Sequence, residues 1–426
     1  MTNPLDELDE VLHWWTNENH TGTELGRLRR EIDQAGRNRK QRAVVEECAL
    51  NLLSTRDEQE SDRNTGGRTA RMAGFTRVYS SLETPLRHLL WNFAIADSIA
   101  LHYQRPQSAA GARIATYVAL ASAGFWAFQN GTEIASGLPP VLGDLNAIRF
   151  AGLTFIALFT ILSFRSRIRF RQLRHRFLTA RSLAEALRVD FFQRLAGTGF
   201  YTLEVFAAHH ETSKDPSITL KALEAAMACS GGLGRRPPME NPSPDPQRIQ
   251  WAESYWLQNQ HLYFGKPKVD GSIAGAAGRE AKASHAAEKN LTLCFVLTSV
   301  AVVGTLLLIL APALVEFPAI KQWVSLDRKQ VEALAEIPRR FADLLTPILG
   351  IASAFLHQRS AAHAITAQKY RRAALVLSDT LHRLADPNLT PAFRLSLLRY
   401  VAYQAVAETT DWGVHQREQS KHIAFR

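Results

Sequence analysis

The chain is poor in the residues that carry most recognisable chemistry. Its 426 residues include only 3 cysteines, Cys48, Cys229 and Cys294, lying far apart. They form no metal-ligand spacing and no disulfide framework. No Gly-x-Ser-x-Gly elbow, His-Glu-x-x-His helix, Cys-x-x-Cys pair or Walker motif occurs. Gly231-Gly232-Leu233-Gly234 is followed by no Gly-Lys-Ser/Thr and is no phosphate loop. His209-His210-Glu211 is a metal-capable trio by composition, but it reads as a surface cluster. No catalytic, cofactor-binding or metal residue is expected, and the chain is not expected to be an enzyme. The N-terminus, MTNPLDELDEVLHWW, has no basic region ahead of an apolar run. It does not read as a secretory signal peptide, so the first apolar span must serve as the insertion signal.

A second absence is more informative. Asn290–Val315, NLTLCFVLTSVAVVGTLLLILAPALV, contains no charged residue over 26 positions. As a helix it is about 39 Å long, against about 30 Å of hydrocarbon in a bilayer. A soluble core helix rarely stays apolar all round for that distance, so this is a membrane span. Ile114–Thr132 is likewise uncharged over 19 residues, and Phe150–Phe164 over 15. The latter reaches only about 22 Å as a helix. Arg149 and Arg165 at its ends can extend it by snorkelling. A fourth, weaker run, Leu344–Gln358, carries Pro347, Gly350 and His357. The expected fold is all-α: a polytopic membrane protein of two transmembrane helical hairpins with long cytoplasmic helical extensions. Its spans fall at about 112–130 and 148–165, then 290–313 and 341–358.

Charge orients the hairpins. RSRIRFRQLRHR supplies Arg165, Arg167, Arg169, Arg171, Arg174 and Arg176 with no acid among them. The preceding connector, Gly131–Ile148, has no Lys or Arg. By the positive-inside rule the arginines are cytoplasmic anchors at the membrane interface and the connector is external. Arg359, Lys369, Arg371 and Arg372 put the exit of the fourth run on the same side. Both termini are then cytoplasmic, and the location is the plasma membrane, in bacteria the inner one. The formal net charge of +10 fits anionic lipid better than nucleic acid, since most of the excess flanks the apolar runs. No nucleic-acid partner is expected.

The remaining stretches read as soluble helices and loops. The organisation expected is an N-terminal cytoplasmic region (1–83), a first hairpin with stalk helices (84–229), a linker (230–248) and a second hairpin with C-terminal helices (249–426). Within the first region, the Arg-dense run 27–42 reads as a solvated helix face, and 56–80, polar and Gly-bearing, as a loop. A helix starts near Thr84-Pro85, and an amphipathic stalk is expected from Leu173 to about Ala207. The aromatics of WAESYWLQNQHLYF (251–264) suit either the membrane interface or a buried packing face. Thr292, Ser299 and Thr305 in the long span suit either a pore lining or close helix packing. The two halves repeat one order of elements, as a duplication would.

Three segments carry a family resemblance: IADSIALHYQRPQSAAGARIATYVALASA (95–123), RSLAEALRVDFFQRLAG (181–197) and WAESYWLQNQHLYF (251–264). Together they resemble bacterial SLATT-type proteins, the membrane regions associated with nucleotide-sensing SMODS and TRPM-like SLOG modules. The resemblance spans roughly residues 84–410. It implies an oligomeric effector that forms pores in, or perturbs, the membrane after a cytoplasmic signal; a non-conducting scaffold for a soluble complex is the alternative. Residues 1–83 show no strand–Gly-loop–helix unit, so the resemblance implies that any nucleotide sensor is a separate partner.

Overall fold

Helical periodicity in the sequence is realised as a series of helices, three of them more than 40 residues long. The computed structural model describes residues 4–17, 25–55, 58, 68–129, 145–210, 218–230, 245–265, 275–315, 356–357, 360 and 363–422. Among them there is no strand, so the fold is all-α. In chain order the helices are α1 (Pro4–Asn17), α2 (Leu25–Arg37), α3 (Arg39–Leu52), α4 (Arg68–Ser81), α5 (Thr84–Gln129) and α6 (Leu145–Leu195). Then follow α7 (Thr202–His210), α8 (Ile218–Cys229) and α9 (Pro246–Trp251). A π-helical turn, Ala252–Gln258, leads into α10 (Asn259–Phe264). The chain continues as α11 (Gly275–Val315), a helical stretch at 363–384, and α12 (Pro391–His422).

The chain forms two compact units interleaved along the sequence. The first comprises Met1–Gln107, Arg171–Ala277 and Lys369–Arg426; the second comprises Ser108–Phe170 and Gly278–Gln368. The first unit has a large buried apolar core. Trp15, Trp91, Phe93, Phe191, Phe192 and Phe206 are fully buried in its core. Phe192 stacks on Trp256, ring centroids 5.8 Å apart and planes within 6°. One buried polar cluster in this unit is internally paired, as a dry interior favours. Tyr79 donates to Glu7 at 2.6 Å, Arg87 reaches the same carboxylate at 2.8 Å, and the Trp91 indole donates to the Tyr79 hydroxyl at 3.0 Å. This cluster fastens α1 to α4 and α5. The Gln193 amide donates to the Leu398 carbonyl, and Arg399 donates to the Thr198 carbonyl, fastening α12 to the end of α6.

The structure departs from several expectations. Residues 68–81, expected as part of a loop, are helix α4, because Phe75, Val78 and Tyr79 recur at helical spacing and are buried. The soluble helix expected from Thr84 and the first apolar run are one unbroken helix, α5, with Pro106 inside it. The second apolar run and the stalk are likewise one helix, α6, but it stops at Leu195 rather than near Ala207. Gly197 and Gly199 adopt φ of 70° and 65°, a left-handed conformation that terminates a helix. The Thr198 amide donates back to the Gln193 carbonyl at 3.0 Å and closes the last turn. The final helix continues well past Thr410, to His422. For 251–264 the packing alternative holds at Trp256 and Leu257, both buried. The fourth expected span, 341–358, and the connector 130–144 lie outside the described residues apart from 356–357.

Candidate functional site

Within the second unit, the parts of α5 and α6 that carry the first two apolar runs pack antiparallel. Tyr117 faces Phe159 at 6.1 Å between ring centroids. Farther along, two glycines bring the backbones together. A Cβ on Gly124 would lie 2.8 Å from the Phe155 Cβ and 3.1 Å from the Gly152 carbonyl oxygen. A Cβ on Gly152 would lie 2.8 Å from the Phe128 amide nitrogen. Only glycine at both positions permits this approach. Close backbone contact through small residues is how helices associate in lipid, where apolar side chains gain nothing by leaving the solvent.

The outward side of the pair is apolar. Phe150 is 72% exposed, Ile161 64% and Phe164 65%, and Leu153, Phe155 and Leu158 are also exposed. Such a continuous apolar band is unusual on a surface that meets water. Among the described residues, the helix from Phe150 to Leu195 is long and apolar enough to cross a membrane. Three hydroxyls of the pair return to their own helix. Thr116, Ser122 and Thr154 donate to the carbonyls of Ala112, Val118 and Phe150 at 3.2, 3.0 and 2.8 Å. These three hydroxyls are thereby satisfied without water, as a hydrocarbon environment requires.

The six predicted arginine anchors divide by environment. Arg165, Arg169 and Arg171 are exposed, Arg167 is half-exposed, and none of these four has a carboxylate partner among the described residues. Arg174 is half-buried, and desolvation lowers its pKa from the usual guanidinium value. Arg176 is engaged within the first unit: it pairs with Glu31 at 3.3 Å, donates to the Tyr103 hydroxyl at 3.1 Å and lies over the Tyr103 ring. Burial raises the Glu31 pKa, opposed by Tyr103 and Arg176, and burial with Glu31 pushes Tyr103 up to about 12. Sequence reasoning treated the six alike; the acid that separates Arg176 from the rest lies on α2, far away in the chain.

Near the start of α11, residues distant in the chain come together. Glu280 and His363 are 2.6 Å apart, and Ser284 and Ser360 exchange hydroxyl-to-carbonyl hydrogen bonds at 3.3 and 3.4 Å. Thr292 is exposed and donates to the Glu288 carbonyl at 3.0 Å. Ser299 is also exposed, and the side chain of Thr305 lies outside the described residues. The side chains of His209 and His210 lie outside them too. Among the described residues no group of three His, Cys, Asp or Glu side chains is arranged to hold a metal. Cys48 is buried in the first unit; burial, reinforced by the Asp97 carboxylate, pushes its thiol above the ordinary range. Such a thiol is a poor nucleophile.

Sequence reasoning missed one cluster altogether. Arg181 pairs with Asp97 at 2.7 Å and also with Glu185, while Arg188 reaches Glu185 at 3.0 Å and lies over the Phe93 ring. Burial disfavours the Arg181 charge, but Glu185 and Asp97 outweigh it and raise its pKa. Its signal was the charge pattern Arg181, Glu185, Arg188 at helical spacing inside an otherwise apolar segment. No family model, curated protein or solved structure matches the chain.

Proposed function

We propose that the chain is a multi-pass membrane protein of two helical hairpins. In this reading it acts in the plasma membrane of a bacterium, with both termini in the cytoplasm. The observation that carries the reading is the exposed apolar band of α6, Phe150–Phe164, on a hairpin joined backbone to backbone at Gly124 and Gly152. Water penalises that surface at about 25 cal/mol per Å² of apolar area, whereas lipid does not. The uncharged span Asn290–Val315, helical throughout within α11, supports a second crossing pair completed by 341–358.

Its function is that of an oligomeric effector that forms a pore in, or perturbs, the bilayer when a cytoplasmic signalling or nucleotide-sensing partner acts on the helical body. Support comes from the resemblance to SLATT-type membrane regions and from helices that run unbroken out of the apolar runs into polar sequence, 84–129 and 145–195. The test is controlled expression with a membrane-potential dye. Depolarisation that depends on the chain is expected, and an intact potential under every activating condition would refute an effector.

A non-conducting membrane scaffold is favoured by a different observation. The exposed face of α12 carries Phe393, Tyr400 and Tyr403, each more than 40% exposed, a surface suited to a protein contact. Pull-down of one stable soluble partner together with no ion flux in liposomes would select this reading.

A further inference from the structure

The two described arms of the first hairpin carry positive charge and no acid. Its described residues, 108–129 and 145–170, include no Asp or Glu, yet carry Arg113, Arg149, Arg165, Arg167 and Arg169. Arg113, Arg165 and Arg169 are exposed and have no ion-pair partner among the described residues. The antiparallel pairing, with Gly111 against Phe170 and Tyr117 against Phe159, sets Arg113 at the level of residues 165–169. Counting about 100° per residue from the contact line, Arg113 on α5 and Arg165 and Arg169 on α6 fall on one flank of the hairpin. Arg167 falls on the other.

Below these guanidiniums the same stripe of α6 is apolar. Leu158 and Ile161, two turns and one turn before Arg165, are 47% and 64% exposed. A ligand that satisfies the whole flank is therefore anionic at one end and apolar beyond it. A nucleic-acid backbone would neutralise the arginines but leave Leu158 and Ile161 in water. Guanidiniums on one flank also offer the fork geometry that suits a phosphate.

Resting on the membrane reading above, we propose that Arg113, Arg165 and Arg169 form a binding site for the phosphate of an anionic phospholipid, whose acyl chains lie along Leu158 and Ile161. This site differs from a diffuse positive-inside bias: it needs one residue from the entering helix and two from the leaving helix. It would hold a lipid at the cytoplasmic end of the hairpin and tie the two helices together there, opposite in chain direction from the Gly124–Gly152 contact.

The experiment uses the full chain purified in mild detergent and exchanged into nanodiscs of phosphatidylcholine with a minority of phosphatidylglycerol. Lipid retained after re-extraction is counted by mass spectrometry. The unaltered protein is expected to enrich phosphatidylglycerol, and R113Q/R165Q/R169Q to lose that enrichment by about tenfold or more. The corresponding triple lysine variant should keep most of it, and R37Q/R39Q/R383Q, a control at residues outside the hairpin segments, all of it. Equal enrichment by the triple glutamine variant, with helical content unchanged, would overturn the site. Displacement of the lipid by glycerol phosphate as effectively as by phosphatidylglycerol would overturn it too, by assigning the arginines to a soluble phosphate. Alkaline carbonate washing of membranes separates the two failures. A chain washed off sinks the membrane reading itself, whereas a chain retained without lipid preference sinks only the site.

Discussion

Gly152 lies so close to Gly124 that a Cβ on Gly152 would stand 2.9 Å from the Gly124 carbonyl oxygen. Neither neighbour on that side is the flexible end of a side chain; the obstacles are the backbone of Gly124 and of Phe128. The two helices therefore have to separate if either glycine gains a side chain. Separation forfeits the dispersion contacts that hold helices together in lipid.

Gly152→Ala is accordingly expected to destabilise the hairpin by about 1–3 kcal/mol, and Gly152→Val by more. Gly26→Ala is the control, since a Cβ there meets nothing within 4 Å. Thermal unfolding in detergent, followed by helical circular dichroism, measures both. Equal midpoints for G152A and G26A would contradict the close approach.

Phe192→Ala is expected to cost about 3–5 kcal/mol in the first unit, because the ring is fully buried and stacked on Trp256. Trp256 fluorescence should shift to longer wavelength as water enters the vacated space. An unchanged emission maximum would mean that the pair does not stack.

These cases show what the sequence made legible. Uncharged runs and an acid-free arginine exit need only local composition, and both were visible directly. The glycine contact was not, because Gly124 and Gly152 acquire meaning only once two separate stretches are placed in register. The stalk's end had a local signal in Gly197-Thr198-Gly199 that amphipathic periodicity overrode. Helix α4 was obscured by the glycines preceding it, although Phe75 and Tyr79 marked its buried face. The Glu31–Arg176 pair joins residues far apart in sequence and leaves no local trace.

The Arg181–Asp97 pair should show coupling. Its partners are 28% and 15% exposed, so solvent screens it in part, and each single alanine substitution is expected to cost about 1–3 kcal/mol. A double-mutant cycle with R181A and D97A measures the shared part. Additive losses would show that the two side chains act independently.

Asp190 gives a pH signature. Burial raises its pKa, opposed by Arg194 and Thr202. Folding therefore favours the protonated form. The stability this contributes is complete below the unfolded value, near about 4, and is lost as pH rises through the higher folded value. Across that window the unaltered protein should lose stability relative to Asp190→Asn, which has no such proton to release. Parallel stability–pH curves for the two proteins would exclude this role.

The membrane crossing itself is most directly tested by a nitroxide at residue 158. A Leu158→Cys variant, its native cysteines replaced, would be labelled and reconstituted in liposomes. Collision rates with oxygen and with a water-soluble nickel chelate are then read by electron paramagnetic resonance. A span in lipid gives frequent oxygen collisions and few with nickel, the reverse of a label at the exposed Arg37. Nickel collisions at residue 158 as frequent as at residue 37 would place the apolar band in water and contradict a transmembrane hairpin.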